Sequence, residues 1–263
     1  MRSVIFCTED SVREDGLALA IANLSELLSG MGPAPPLRFV RVRNFSVLER
    51  VLAMPGIERL DGLVLPKFGL KQARSYFERL QGTPFWLMPV LETREVFDPQ
   101  ALVGLRDFLL DSPLRPWILS LRAGSQDLLS LLSLRRKRGR TIYETPVGTA
   151  MDCLVGIFKP HGLQVHAPVF DDLADHLTLG KEAAADLEHG LVGKSAIHPV
   201  QVPIIESAYR VDAADLDLAQ AILRPEAPAV FQSGGVMCEP ATHASWAQGI
   251  ITRARIYGYG QGG

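Results

Sequence analysis

The sequence predicts an α/β fold with parallel strands, and two observations carry that expectation. Short apolar runs alternate with stretches of helical period along most of the 263 residues. Such alternation implies strands joined by crossover helices. The runs are also nearly continuous in Val, Ile, Leu or Phe, as in strands covered by helices on both faces. An open sheet and a (β/α)8 barrel both satisfy these signals.

The elements follow in order. Candidate strands occupy residues 3–7, 38–42, 62–66, 85–90, 117–121, 164–170 and 195–198, one short of a closed eight. After the first, Leu17, Ile21, Leu24 and Leu28 repeat along one helix face, and Gly30 supplies a stop. Residues 32–36, Gly-Pro-Ala-Pro-Pro, read as a tight loop. Residues 172–190 and 203–223 read as helix-rich. Pro225 and Pro228 mark 223–232 as a link, so the expected division is a catalytic domain over 1–224 with a linker and C-terminal arm over 225–263. The glycine-rich tail at 258–263 has no helix after it to receive a phosphate and reads as a loose terminus.

Composition narrows the classes of function. Acidic residues number 29 and basic residues 27, for a formal charge of −2. That balance gives no general attraction to nucleic acid or to an anionic membrane. With 47% hydrophobic and 21% charged residues, the chain can bury a sizeable core. Cys7, Cys153 and Cys238 are widely spaced and form no CxxC pair, which suits a reducing compartment. The first ten residues hold too short an apolar stretch for a signal peptide, and no window reaches the roughly 18 apolar residues of a spanning helix. A cytoplasmic location is the expectation.

Several local patterns are false leads. Gly193-Lys194-Ser195 is not a phosphate loop, because position 188 is Glu and Pro199 follows almost at once. His161, His166 and His176 lie close in sequence, but solvated or core-satisfied histidines explain them better than a metal does. The run Arg135-Arg-Lys-Arg-Gly-Arg140 reads as a solvated basic helix end, with a phosphate-bearing ligand as its functional alternative.

The strand ends carry the chemistry. In parallel α/β folds, functional side chains gather where strands finish. Here those ends hold Glu9-Asp10, Arg41 and Arg43, Lys67, Glu92, and, after Leu121, a stretch from Arg122 to Asp127. Two carboxylates from neighbouring strands, with water and substrate oxygens, are the usual site for Mg²⁺. An arginine beside them can hold a carboxylate or enolate oxygen with its fork.

The segments Ile5-Phe-Cys-Thr-Glu-Asp-Ser-Val12, Val40-Arg-Val-Arg-Asn44, Asp61-Gly-Leu-Val-Leu-Pro-Lys67, Pro89-Val-Leu-Glu-Thr93, Gly124-Ser-Gln-Asp-Leu128 and Gly193-Lys-Ser-Ala-Ile-His-Pro-Val-Gln201 occur in this order. Together they resemble the citrate lyase β-subunit-like branch of the HpcH/HpaI aldolase superfamily. The resemblance implies a TIM (β/α)8-like barrel lacking the family's first strand, with a short C-terminal helical arm. It implies a Mg²⁺-dependent carbon–carbon lyase or aldolase acting on an oxo- or hydroxy-acid, with a coenzyme A thioester as candidate substrate. Glu92 and Asp127 match the metal ligands. Arg41 matches the arginine on substrate oxygens, with Arg43 the other register. Glu9, Asp10 and Pro199 fall at substrate-binding positions, and Lys67 at the lysine after the next strand. Glu239 stands where relatives carry an acid/base aspartate, often supplied by a neighbouring subunit, which implies a trimer-type homo-oligomer.

Three departures accompany the match. By the resemblance, Ser3–Cys7 corresponds to the family's second strand and not its opening one. Gln126 replaces a carboxylate in the Gly-Ala-Glu-Asp-Leu motif, with 111–116 looking like an insertion between Glu92 and Asp127. The family's Gly-x-Met-x-Asp-x-Pro reads Gly235-Val-Met-Cys-Glu-Pro240, with Glu239 for the aspartate. Hydrolysis of an acyl-coenzyme A thioester on the same scaffold is one alternative. A barrel that has lost catalysis and serves as a ligand-binding subunit is another.

Overall fold

The computed structural model describes residues 3–32 and 36–260. The tight loop expected at residues 32–36 lies mostly outside them, as do the last three residues of the glycine-rich tail. Contacts divide the chain into two compact units: residues up to 172 with 185–197, and residues 173–184 with those from 198 onward.

The first unit is built on six parallel strands hydrogen-bonded in sequence order: β1 (Ser3–Cys7), β2 (Leu37–Arg41), β3 (Gly62–Leu65), β4 (Trp86–Leu91), β5 (Leu121–Ala123) and β6 (Val165–His166). A single bridge from Ala167 to Lys194 begins a seventh position. Among the described residues nothing pairs with the other edge of β1. The sheet curls as a half-barrel of an α/β protein.

Helices return the chain between strands: α1 (Leu17–Gly30), α2 (Phe45–Leu52), α3 (Leu70–Leu80), α4 (Pro99–Asp111), α5 (Ser125–Leu131) and α6 (Pro146–Phe158). Their starts are set locally. Asn44 accepts from the Val47 amide at 3.0 Å, Asp98 from Gln100 and Ala101, and Thr145 from Val147. Each satisfies amides that the first helical turn leaves open.

Side-chain alternation gives the sheet two different faces. Val40, Leu63, Leu65, Leu87, Leu91, Leu121 and Val165 join Leu24, Leu48, Leu80 and Leu105 of the helices in one large core. The intervening residues Phe39, Val64, Met88 and Val90, with Ile5, form a separate small cluster on the concave face. The same alternation puts Cys7, Arg41, Arg122 and His166 on that concave face.

The first four strands lie within one residue of their expected positions. The fifth begins four residues later than predicted, because Arg115–Trp117 turns as a 3-10 helix around Pro116 and Ile118 makes only an isolated bridge to Leu87. The sixth stops at His166, two residues before Pro168. The basic run at 135–140 is not merely solvated. Arg136 is buried against Asp171 at 3.0 Å and lies over the Phe170 ring, while Arg138 pairs with Asp172 and Arg140 with Glu144.

In the second unit, the segment expected as helix-rich at 203–223 splits into α8 (Gln201–Ala208) and α9 (Ala213–Ile222), after α7 (His176–Glu188), which runs from one unit into the other. Between them lies β7 (Val211–Asp212). A hairpin of β8 (Phe231–Ser233) and β9 (Val236–Cys238) follows, turning at Gly234 and Gly235 with φ of 58° and 82°. Two consecutive left-handed residues are what a tight two-residue hairpin turn requires. Then come α10 (Pro240–Tyr257) and β10 (Tyr259–Gly260), which pairs with β7, so Tyr259 and Gly260 of the tail form a strand. Helix α10 packs on α9 through Leu216, Ala219, Ile222, Ala247 and Ile250.

Gly62 is the tightest point of the sheet. A Cβ there would sit 2.1 Å from the Trp86 carbonyl and 2.6 Å from the Phe39 ring. Gly62→Ala is therefore expected to cost about 3 kcal/mol in urea unfolding. Gly104→Ala in α4, where nothing lies within 4 Å of the new methyl, should be neutral or stabilise by up to about 1 kcal/mol. Equal midpoints for the two variants would contradict this packing.

Candidate active site

Six charged side chains from five consecutive strand ends form one linked cluster. Glu9 follows β1 and is only 3% exposed. Its Oε2 lies 3.1 Å from Arg41 Nε at the end of β2, and its Oε1 lies 3.1 Å from Lys67 Nζ after β3. Lys67 Nζ also reaches Asp10 Oδ2 at 2.9 Å and Asp127 Oδ1, in the first turn of α5, at 3.6 Å.

The backbone of Lys67 closes the ring. Lys67 has φ of 47°, a left-handed value that is costly for a side chain with a Cβ. Its amide donates to Glu92 Oε1 at 2.8 Å. The other oxygen of Glu92 faces Gly124, where a Cβ would stand 2.2 Å from Oε2. Only glycine fits at this first residue after β5.

Arg41 and Arg43 have separate duties. Arg41 Nε and Nη2 donate to Cys7 Sγ at 3.2 and 3.1 Å, so Arg41 lies across the mouth of the sheet. Arg43 instead clamps the loop after β1, donating to the carbonyls of Thr8, Glu9 and Val12 and pairing with Glu14. Of the two registers that the sequence allows, only Arg41 joins the carboxylate cluster.

The charges tune one another. Burial pushes the Glu92 carboxyl up to about 7; the Lys67 amide pulls it down, and Asp127 and Glu9 push it further up. Lys67 is held above its ordinary value, because its bonds to Asp10 and Glu9 outweigh its burial. It is therefore an ammonium at neutral pH and no general base. Asp10, bonded to Lys67, is held below the usual carboxylate range. Contacts with Cys7, Glu9 and Glu92 raise Arg41 in spite of its burial.

Arg122, His166, Ser195 and Cys7 are additional polar groups in this part of the sheet. Arg122 pairs in register with Val90 and His166, and its Nη2 donates to Ser195 Oγ. The sequence places Arg122 only as one charge among those at a strand end and assigns no role to Cys7. The usable signal is alternation, since both stand an even number of residues before Glu9 or Glu92-like strand-end positions on the concave face.

The other sequence-derived candidates belong to the second unit. Pro199 precedes α8, its carbonyl accepting from the Val202 amide at 3.1 Å. Glu239 caps α10, with its amide bonded to His243 Nδ1 at 3.0 Å and its carboxylate 3.5 Å from Thr242 Oγ1.

The donor set suits a hard divalent cation. Glu92 and Asp127 offer carboxylate oxygens from adjacent strand ends. The high affinity of Glu92 for a proton reflects first its burial and then the nearby negative charge of Asp127 and Glu9, both of which a cation would offset. Among the described residues there is no cage of three or more His, Cys, Asp or Glu. Mg²⁺, which keeps several waters and uses one or two carboxylates, matches two ligands better than metals that need a full protein cage. No helix among the described residues is long and apolar enough to cross a membrane.

Known proteins repeat this architecture. The fold matches CitE of Mycobacterium tuberculosis, crystallised with magnesium, acetoacetate and coenzyme A, at a TM-score of 0.70 and 20% identity, covering 96% of this chain and 90% of that one. It matches a citrate lyase of Burkholderia xenovorans at a TM-score of 0.72 and 18% identity, covering 97% and 84%. In sequence, a (3S)-malyl-CoA thioesterase of Cereibacter sphaeroides is 24% identical over 221 residues, 82% of this chain and 72% of that protein. The model of the C–C bond lyases of the TIM-barrel fold matches residues 1–259. With that match spanning the strands, the carboxylate cluster and the C-terminal helix alike, the chain belongs to the C–C bond lyase family of the TIM-barrel fold.

Proposed function

We propose that this chain is a Mg²⁺-dependent carbon–carbon lyase or aldolase acting on an oxo- or hydroxy-acid, with a coenzyme A thioester as the candidate partner. The carrying observation is the linked cluster itself: buried Glu92 beside Asp127, with Arg41 and Lys67 held as cations by Glu9. Glu92 and Asp127 would hold the ion, which supplies Lewis-acid polarisation of a carbonyl oxygen.

The chain's own residues supply the rest. In the cleavage direction the hydroxyl gives its proton to the Glu239 carboxylate, its O–H electrons form a carbonyl, and the carbon–carbon bond breaks. The electron pair then resides on the departing fragment as an enolate, which must be protonated at carbon. Arg41 uses Nε and Nη2 on Cys7 and Glu9 and presents its remaining Nη1 to that oxygen charge. Lys67, fixed as an ammonium, adds a second positive charge nearby. Glu239 is the proposed proton carrier, delivered by the C-terminal helix of its own or a neighbouring subunit in a trimer-type homo-oligomer. Glu9, Asp10 and Pro199 complete the proposed substrate site.

Thioester hydrolysis is the second reading, favoured by the (3S)-malyl-CoA thioesterase that shares 24% identity with this chain. Water attacking an acyl-thioester would generate an oxyanion that the same Arg41 could hold until it collapses to the carboxylic acid and the thiolate leaves.

Calorimetry should show one Mg²⁺ per chain binding to the wild type and none binding to Asp127→Ala. Equal affinity in the two would remove the metal site from Asp127. Proton exchange at the methyl groups of acetyl-CoA or pyruvate in heavy water reports enolate formation directly. Arg41→Lys should slow that exchange on the order of 10²-fold, since an ammonium cannot reproduce the planar fork. Undiminished exchange would make Arg41 structural.

Stability gives an independent readout. Glu92 has a folded-state pKa of about 7, above its ordinary 4.5, so the folded protein binds this proton more tightly than the unfolded chain does. Its contribution is present below about 4.5 and is lost as pH rises through 7. Glu92→Gln keeps an acceptor for the Lys67 amide without the charge. In metal-free buffer at pH 8 it should be more stable than wild type in urea unfolding, by on the order of 3 kcal/mol, with the gap closing near pH 4.5. A variant less stable than wild type at pH 8 would contradict this electrostatic account.

A further inference from the structure

One cation inside the sheet is unused by that chemistry. Arg122 lies in mid-strand, and the alternation of β5 directs it to the concave face shared with Met88 and Val90. Its Nη2 donates to Ser195 Oγ, and its Nη1 meets only the Met88 thioether, at 3.8 Å. Among the described residues no carboxylate forms an ion pair with it. Burial and the charge of Arg41 lower it to about 10, with Glu92 opposing, so it stays charged at neutral pH.

Its surroundings are equally incomplete. His166, its register partner on β6, is pushed down to about 3 by burial and by Arg122 itself, so the ring is neutral. The Nδ1 atom of that ring is buried without a hydrogen-bond partner among the described contacts, and so is Ser120 Oγ, two residues before Arg122 on the same face. Arg122 and His166 both keep some accessible surface. A deep cation reachable from solvent, with a thioether on one donor and unpartnered polar atoms nearby in the sheet, has the donors that recognise an anion.

We propose that Arg122 is a specificity residue that binds a second carboxylate of the substrate, so that the tail of the bound acid points into the concave face of the sheet. His166 Nδ1 and Ser120 Oγ line that seat. The assignment rests on the lyase reading, because the reacting carbonyl must sit near Glu92 and Asp127 for the other end to reach Arg122. A guanidinium edge is suited to a planar carboxylate, which two parallel donors can hold.

Malate and lactate test this, since they share the 2-hydroxy-acid and differ by one carboxylate. Calorimetry on the full chain with Mg²⁺ should show (S)-malate binding about tenfold more tightly than (S)-lactate, a difference of about 1.4 kcal/mol. Arg122→Met should bring the two within about twofold and leave lactate unchanged, while Arg122→Lys should retain part of the preference. Equal affinities in the wild type overturn the assignment even if the Met variant fails to fold, and so does a malate preference that survives Arg122→Met. The two readings separate cleanly. Absence of Mg²⁺ binding sinks the lyase reading, whereas Mg²⁺ binding without an Arg122-dependent preference sinks this assignment alone.

Discussion

The buried Glu9 carboxylate is the interaction on which the rest of the site depends. A carboxylate that is 3% exposed is tolerated only when its oxygens are met by donors, and here each oxygen has its own cation. Arg41 takes one and Lys67 the other, so the ends of β1, β2 and β3 are tied at a single point. The tie then propagates. Lys67 must adopt its left-handed backbone for its ammonium to reach Glu9 while its amide reaches Glu92. Glu92 in turn occupies the space that only a glycine at 124 leaves open.

The sheet provides the frame that makes this geometry reproducible. Its convex face is held by a continuous core of aliphatic and aromatic side chains from β2 to β6 and their helices, with Phe6 of β1 packed against it. Its concave face is small and includes Phe39, Val64, Met88 and Val90. Polar groups on that face are therefore set in apolar walls, where charges act over longer range than in water. Glu92 and Arg122 are both displaced from their ordinary pKa values for this reason, in opposite senses of charge.

Much of this was legible in the sequence because strand ends announce themselves. Arg41, Lys67, Glu92 and Asp127 each interrupt an apolar run or follow one closely, and a parallel fold brings such interruptions to one edge. Arg122 and His166 were harder to read. A polar residue in mid-strand on the concave face looks, in one dimension, like the end of the run, and Pro116 and Pro168 blur the strand limits on either side. The break between α8 and α9 had no cue, since Tyr209 continues the apolar pattern while packing at a tilt against Tyr257, 5.1 Å away between ring centres, in another element. Periodicity reports which residues are buried and not what buries them.

The cluster is stiff on one side and adjustable on the other, and this asymmetry suits the cation proposed for it. Glu9 is sealed, and its bonds to Arg41 and Lys67 are short. Asp127 is 37% exposed and lies 3.6 Å from Lys67, beyond good hydrogen-bond distance, and Asp10 is 69% exposed. An ion drawn to Glu92 and Asp127 would take Asp127 from Lys67 at little cost, because that contact is loose and partly solvated. Lys67 would keep Glu9 and Asp10, and so its position and its charge. The ends of β1, β2 and β3 thus need not move if the carboxylates beyond them change partners, which is the preorganisation that the proposed electrostatic role of Arg41 requires.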